Sequence, residues 1–183
     1  DSSGIVASVA IVEDENLIAE YTVNYKKTHS QTLLPMLDEL VKMTELDLDT
    51  IDAIAVAAGP GSFTGLRIGS ATAKGLGLAL KKPLVEIPTV DALAYNLYDS
   101  RALICPIMDA RRSQVYTGIY RFQEHKLVTV EAQMAVPMAE MIEKLNARGE
   151  EVVFLGDGVP VFGKMIQENL KVPYSFAPAH VNK

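Results

Sequence analysis

The sequence predicts an α/β protein built from mixed sheets flanked by helices, in two similar halves. Paired β-prone runs separated by turn residues occur twice, at residues 5–25 and 114–132. Apolar runs too short for typical helices lie at residues 51–58, 84–87, 102–108 and 152–155, and the first of them reads as a strand buried on both faces. One order also recurs: a strand, a turn opening on Asp, a β meander, a helix, a strand and a helix. Meanders combined with parallel strands imply mixed sheets with helices on their faces, not one fully parallel sheet. The recurrence suggests duplication and places a boundary near Ser100, between a lobe of residues 1–100 and one of 101–183.

Taken in order, residues 5–12 alternate in part, Asp14, Glu15 and Asn16 form a turn, and residues 17–25 supply the second strand of an antiparallel hairpin. Thr28 or Ser30 can cap a helix running to about Leu46. Leu33, Leu37, Leu40 and Val41 share one face of it, and Met36 and Met43 widen that face. The strand at 51–58 runs into a Gly-rich turn, and a helix follows over residues 63–80 until Pro83 stops the chain from continuing it. A short strand at 84–87 leads to a helix from Thr89 through Tyr98. In the second half, strand 102–108, a turn at 109–113 and β-rich runs at 114–122 and 126–132 precede a helix opened by Pro137 and reaching Gly149. Strand 152–155 and helix 161–170 complete the series.

Composition narrows the function. A chain of 183 residues with 49% hydrophobic and 22% charged residues is ordinary globular material, and its apolar runs fall far short of the roughly 18 residues that span a bilayer. No membrane anchor or signal peptide is expected. A single Cys105 cannot form an internal disulfide, and with no Cys or His cluster a structural zinc site is not expected, so a reducing, cytoplasmic compartment fits. A net charge of -6 argues against a broad grip on phosphate backbones, and any nucleic acid is expected to be held through another chain. The chain opens at Asp1 on a turn and closes in a polar stub after Pro178, which reads as a missing first strand and a missing final segment.

Between strand and helix, Gly59, Gly61 and Gly65 give G-x-G-x-x-x-G, a context in which backbone approaches phosphate at a helix N-terminus. Asp1, Gly59, Gly61 and Ser62 are the candidate nucleotide contacts, and Glu86 lies where a dinucleotide site places its ribose acid. Against that, Pro60 removes an N–H from the cradle, the motif follows a hairpin, and no Gly-Lys-Ser/Thr follows Gly59; Arg67 is the nearby cation. Asp1 and Asp109 each sit where a strand meets a turn, from which Asp either holds magnesium or a water or simply shapes the turn. His29, His125 and His180 lack a second ligand at i+3 or i+4, and no metal site is expected. Cys105, in an apolar strand beside Pro106, reads as a buried, inert thiol.

The helix after the turn carries Gly65, Gly69, Ala73 and Gly77 at every fourth position, a ridge that another backbone can approach closely. Each interior glycine costs about 0.8–1 kcal/mol of helix propensity, so tight packing must compensate. Either the helix lies close on its own sheet, or Leu66, Leu76 and Leu80 face the core and the ridge is left for a partner.

The segments DSSGIVASVAIV, THSQTLLPMLDELV, AIAVAAGPGSFTGLRIGSATAKGLGLAL and PIMDARRSQVYTGIY together resemble the TsaB (YeaZ) family across nearly the whole chain. The resemblance implies an actin-like, sugar-kinase-like (ASKHA, ribonuclease-H-like) two-lobed fold. It further implies a role in forming threonylcarbamoyladenosine at position 37 of transfer RNAs that read codons beginning with A. In that system TsaD transfers the threonylcarbamoyl group from threonylcarbamoyl-AMP and carries the metal, TsaE is an ATPase, and TsaB is a non-catalytic partner. The family's partner surface, which also pairs two TsaB copies, uses the first two helices. Here it maps onto His29, Leu33, Met36, Leu37, Leu40, Gly65, Arg67, Gly69, Ala73 and Gly77. The expectation is an accessory subunit that forms a heterodimer with TsaD and a homodimer alone, works with TsaE, and reaches transfer RNA only through the complex. It would bind no cofactor alone, ATP and Mg being used by the assembled system. The rival is a small-molecule enzyme holding a nucleotide or dinucleotide at the turn of residues 59–65.

Overall fold

Alternating apolar residues pair β1 (Ala7–Glu13) with β2 (Asn16–Val23) in an antiparallel hairpin, from Ala7 opposite Val23 to Glu13 opposite Asn16, with a register shift between Ile11 and Val12. Asp14 turns the chain with a positive φ of 51°. The computed structural model describes residues 1–25 and 29–182. It divides into two compact units, Asp1–Thr89 and Val90–Lys183.

In the first unit, a short 3-10 turn at His29–Gln31 leads into α1 (Leu33–Thr44), which ends where Glu45 adopts a left-handed conformation. The expected cap Thr28 lies outside the described residues. Ser30 sits in the 3-10 turn, and the helix begins later than expected, with Thr32 at its N-cap position. Strand β3 (Ile54–Gly59) pairs in parallel with β4 (Leu84–Pro88), and α2 (Phe63–Leu80) crosses between them. α2 has the expected bounds because Ser62 Oγ accepts from the Gly65 N–H at 3.2 Å and Lys81 closes it in the left-handed conformation. β3 corrects one expectation: Ile54 and Val56 are half-buried, but Ala55 and Ala58 are exposed, so the strand is not buried on both faces.

In the second unit, one five-stranded sheet has the order β7-β6-β5-β8-β9. Its strands are β5 (Leu103–Asp109), β6 (Gln114–Gln123), β7 (Lys126–Pro137), β8 (Val152–Leu155) and β9 (Tyr174–Phe176). β5 is antiparallel to β6 and parallel to β8, so the sheet is mixed. The two-residue period of β5 splits its side chains between two cores. Leu103, Cys105 and Ile107 join α4 (Met138–Arg148) and α5 (Val159–Asn169), while Ile104 and Met108 join α3 (Thr89–Tyr95) through Val90 and Ala94. That burial puts nearly all of α3 in the second unit, and the division therefore falls between Thr89 and Val90, ahead of Ser100.

β7 extends past residue 132 because Met134 and Val136 go on pairing with Thr117 and Val115 beyond a bulge. β9 was not anticipated: three residues after Pro173 are too short a run to signal a strand. Both units nevertheless place an antiparallel hairpin, a helix, a strand, a helix and a parallel strand in the same order. Among the described residues, no helix is long and apolar enough to cross a membrane.

Candidate functional site

The helical period turns Leu33, Met36 and Leu40 of α1 inward, each about 5% exposed or less. Leu33 and Met36 form a cluster with Ala7, Val9 and Val23 of the hairpin and Ile68 of α2. These three expected interface residues are thus core, and Leu37 is half-buried. His29, also expected at the interface, is half-buried: its Nε2–H donates to the Gly4 carbonyl at 2.9 Å.

The small-residue ridge of α2 also points inward, against its own chain. A Cβ added to Gly65 would stand 2.0 Å from the Ser2 carbonyl oxygen, one on Gly69 2.6 Å from Ser2 Oγ, and one on Gly77 2.9 Å from Leu84. Ser2 Oγ in turn donates to the Gly65 carbonyl at 2.8 Å, and Ala73 is 5% exposed. Gly65, Gly69 and Gly77, expected to face a partner, are thus turned toward their own chain, and Ala73 is buried beside them. The compensation for their lost helix propensity is close approach of α2 to Ser2, Leu84 and the sheet.

The Gly-rich turn packs in the same way against the start of the chain. The Cβ position of Gly61 is filled by the Ser3 carbonyl oxygen at 2.3 Å, and Ser62 N–H donates to that oxygen at 2.6 Å. Asp1 Oδ1 accepts from Ser3 N–H at 2.6 Å, an Asx turn. Asp1, Gly61 and Ser62 are thus gathered around Ser3, while Gly59 has a φ of 100° that favours glycine and rests against Leu66. At Gly61 and Gly65 the place a Cβ would take is held by a carbonyl oxygen of this chain. Glu86 opens into a cleft beside Arg67 and Lys74, which gives no support to its role as a ribose acid.

The outward side of the first unit has a different composition. Phe63 is 69% exposed, Leu78 83% and Met43 73%, and Leu34 is also exposed. The Arg67 guanidinium lies 3.9 Å from the Phe63 ring centre, a cation–π contact at the surface. An open cleft of about 500 Å3 runs along α2, lined by Val56, Ala58, Phe63, Arg67, Lys74 and Glu86 among others. Of the residues expected to contact a partner, Arg67 alone is exposed. Phe63, Lys74, Leu78 and Leu34 were missed; Lys74 and Leu78 directly follow the ridge residues Ala73 and Gly77, and looking beside the ridge would have found those two.

In the second unit, Asp109 repeats the turn of Asp1: its Oδ1 accepts from Arg111 N–H at 2.9 Å and its Oδ2 pairs with Arg111 Nη1 at 3.4 Å. Asp157 Oδ1 accepts from Asp109 N–H at 3.0 Å, and burial pushes the Asp157 carboxyl above its ordinary range. Cys105 is fully buried, its Sγ 3.5 Å from Thr117 Oγ1, and burial pushes its thiol up to about 12. A thiol held protonated at neutral pH is not a nucleophile.

Residues 16–182 match the family model of TsaD, tRNA N6-adenosine threonylcarbamoyltransferase. The chain is 35% identical to the tRNA threonylcarbamoyladenosine biosynthesis protein TsaB of Bacillus subtilis (strain 168), over 93% of this chain and 74% of that protein. Against the protein of the same name from Escherichia coli (strain K12) it is 30% identical, over 86% of this chain and 69% of that one. The solved structure of YeaZ from Pseudomonas aeruginosa superposes with a TM-score of 0.81 at 26% identity, covering 98% of this chain and 81% of that chain. The mixed sheets and flanking helices are those of the actin-like, ASKHA fold. By its sequence along nearly its whole length and by its fold, this chain belongs to the TsaB family, within the wider group that the TsaD family model describes.

Proposed function

We propose that this chain acts in tRNA threonylcarbamoyladenosine biosynthesis as an accessory subunit that supports a TsaD-type threonylcarbamoyltransferase. The observation that carries this is the likeness to TsaB of Bacillus subtilis along 93% of the chain. What supports an accessory role is how the polar groups at the expected positions are used. His29 is bound to Gly4, Asp1 shapes the turn at Ser3, Asp109 is held by Arg111, and Cys105 is a buried thiol. Each of these contacts is a structural one.

The partner surface in this reading is the exposed side of α1 and α2, with Leu34, Met43, Phe63, Arg67 and Leu78, and not the buried ridge. Exposed large apolar side chains gathered on a protein surface mark an interface. The chain pairs there with TsaD, and with itself when TsaD is absent. TsaE and transfer RNA join through the complex, in the cytoplasm, with ATP and Mg used by the assembly. Reconstitution tests the role: modification of transfer RNA is measured with all components and then with this chain left out. A large loss of product on omission is expected, and full modification without the chain overturns the proposal.

A further inference from the structure

Exposed apolar side chains are concentrated in the hairpin of β1 and β2. Of the fourteen large apolar side chains exposed among the described residues, six fall within residues 5–25: Ile5, Val12, Leu17, Ile18, Tyr21 and Tyr25. At the tip Val12, 63% exposed, stands opposite Leu17, 59% exposed, and the register shift after Ile11 leaves Ile18 opposite no residue of β1. The same residues hold Glu13, Asp14, Glu15 and Glu20 and no base, Lys26 being the first base of the chain. None of these four carboxylates forms an ion pair among the described residues, and Glu20 accepts only from Thr22 Oγ1.

β2 pairs with β1 alone, so its far edge presents free backbone N–H and C=O groups. Such edges are commonly blunted by Lys or Pro, and Asn16–Val23 contains neither. Its bulge lies at the tip end, and pairing with β1 is regular from Ala19 to Val23. A free apolar edge takes an added strand, and the charge around it selects which strand. Phosphate backbones and anionic lipid surfaces are repelled by unpaired carboxylates. A second copy laying its own β2 alongside would set acid against acid. We infer that the outer edge of β2 is a docking site for an extended segment of another protein that carries Lys or Arg between apolar residues. The segment adds a strand to the hairpin: its main chain pairs with β2, its apolar residues cover Leu17 and Ile18, and its bases meet Glu15 and Glu20. This edge is separate from the exposed side of α1 and α2 and does not depend on the role proposed for that side.

Fluorescence anisotropy of a labelled, capped peptide of alternating Lys and Val, titrated with the full chain, tests it, with circular dichroism to confirm that each variant is folded. Binding should move the amide resonances of residues 16–23 in a magnetic resonance titration. Glu15→Lys with Glu20→Lys should raise the dissociation constant at least tenfold, and Leu17→Ser several-fold. Raising salt from 0.15 M to 1 M, which shortens the screening length from about 8 to about 3 Å, should weaken binding several-fold. A peptide of alternating Lys and Pro has the same charge but cannot pair along a strand, and it should bind at least tenfold more weakly. Should Leu17→Ser lose its fold, the charge-reversed pair and the Lys and Pro peptide still decide. Equal binding of the Lys and Pro peptide, or of one alternating Glu and Val, overturns the proposal, as do amide shifts centred outside β2 or no binding at all. Shifts at β2 that grow with protein concentration in the absence of peptide would assign the edge to a second copy and overturn it as well.

Discussion

Gly65 and Gly75 belong to the same helix and meet opposite surroundings. At Gly65 a Cβ would collide with the Ser2 carbonyl at 2.0 Å, while at Gly75 it would meet nothing within 4 Å. Alanine gains about 1 kcal/mol over glycine in a helix interior, and overpacking a tight contact costs about 1–3 kcal/mol. Gly75→Ala should therefore stabilise the fold by about 0.5–1 kcal/mol, and Gly65→Ala should destabilise it by about 1–2 kcal/mol net, both read from urea unfolding midpoints. Equal effects at the two positions would contradict the packing assigned to the ridge. Sequence alone showed that the ridge had a packing purpose and left its direction open. Direction depends on Ser2, about sixty residues before α2, and on Leu84, which the turn after α2 brings back against Gly77.

Elements are held together by contacts of the kind that ties β7 to α4. Glu131 accepts from Arg148 at 2.7 Å and from Lys144 at 3.3 Å, and the Arg148 bond chiefly holds its carboxyl below the ordinary 4.5. A carboxyl with a depressed folded pKa adds stability above its unfolded value and loses it as pH falls through the folded one. Arg148→Ala should cost about 1 kcal/mol at pH 7, and the difference from the parent should vanish once the pH falls well below 4.5 in paired thermal melts. A gap that persists undiminished in acid would assign the loss to packing. The elements themselves were largely readable. α2 was legible to the residue because a Gly-rich turn precedes it and Pro83 follows it, and β5 because its apolar run is unbroken. β9 and the far end of β7 were not, since strands finished by pairing with neighbours carry little local signal.

At the scale of the whole molecule, the exposed side of the first unit is where assembly is expected. Phe63→Asp and Leu78→Asp, at 69% and 83% exposure, should leave the melting temperature within about 2 °C, consistent with surface changes within ±0.5 kcal/mol. The same variants should lower recovery of co-purified TsaD at least tenfold; unchanged recovery would remove this face from the interface. By itself the sequence determined the α/β class, the repeated order, the bounds of the strongest elements and the family, because periodicity, caps and a long specific motif are local properties of the chain. The tertiary structure decided which side of each helix is free. Leu33 and Met36, expected to meet a partner, pack on the chain's own hairpin, Gly65, Gly69 and Gly77 on Ser2 and Leu84, and Leu40 and Ala73 are buried with them. Phe63, Arg67, Lys74 and Leu78 are left outside. An apolar or small residue is equally suited to a core and to an interface, and only the position of the rest of the chain separates the two.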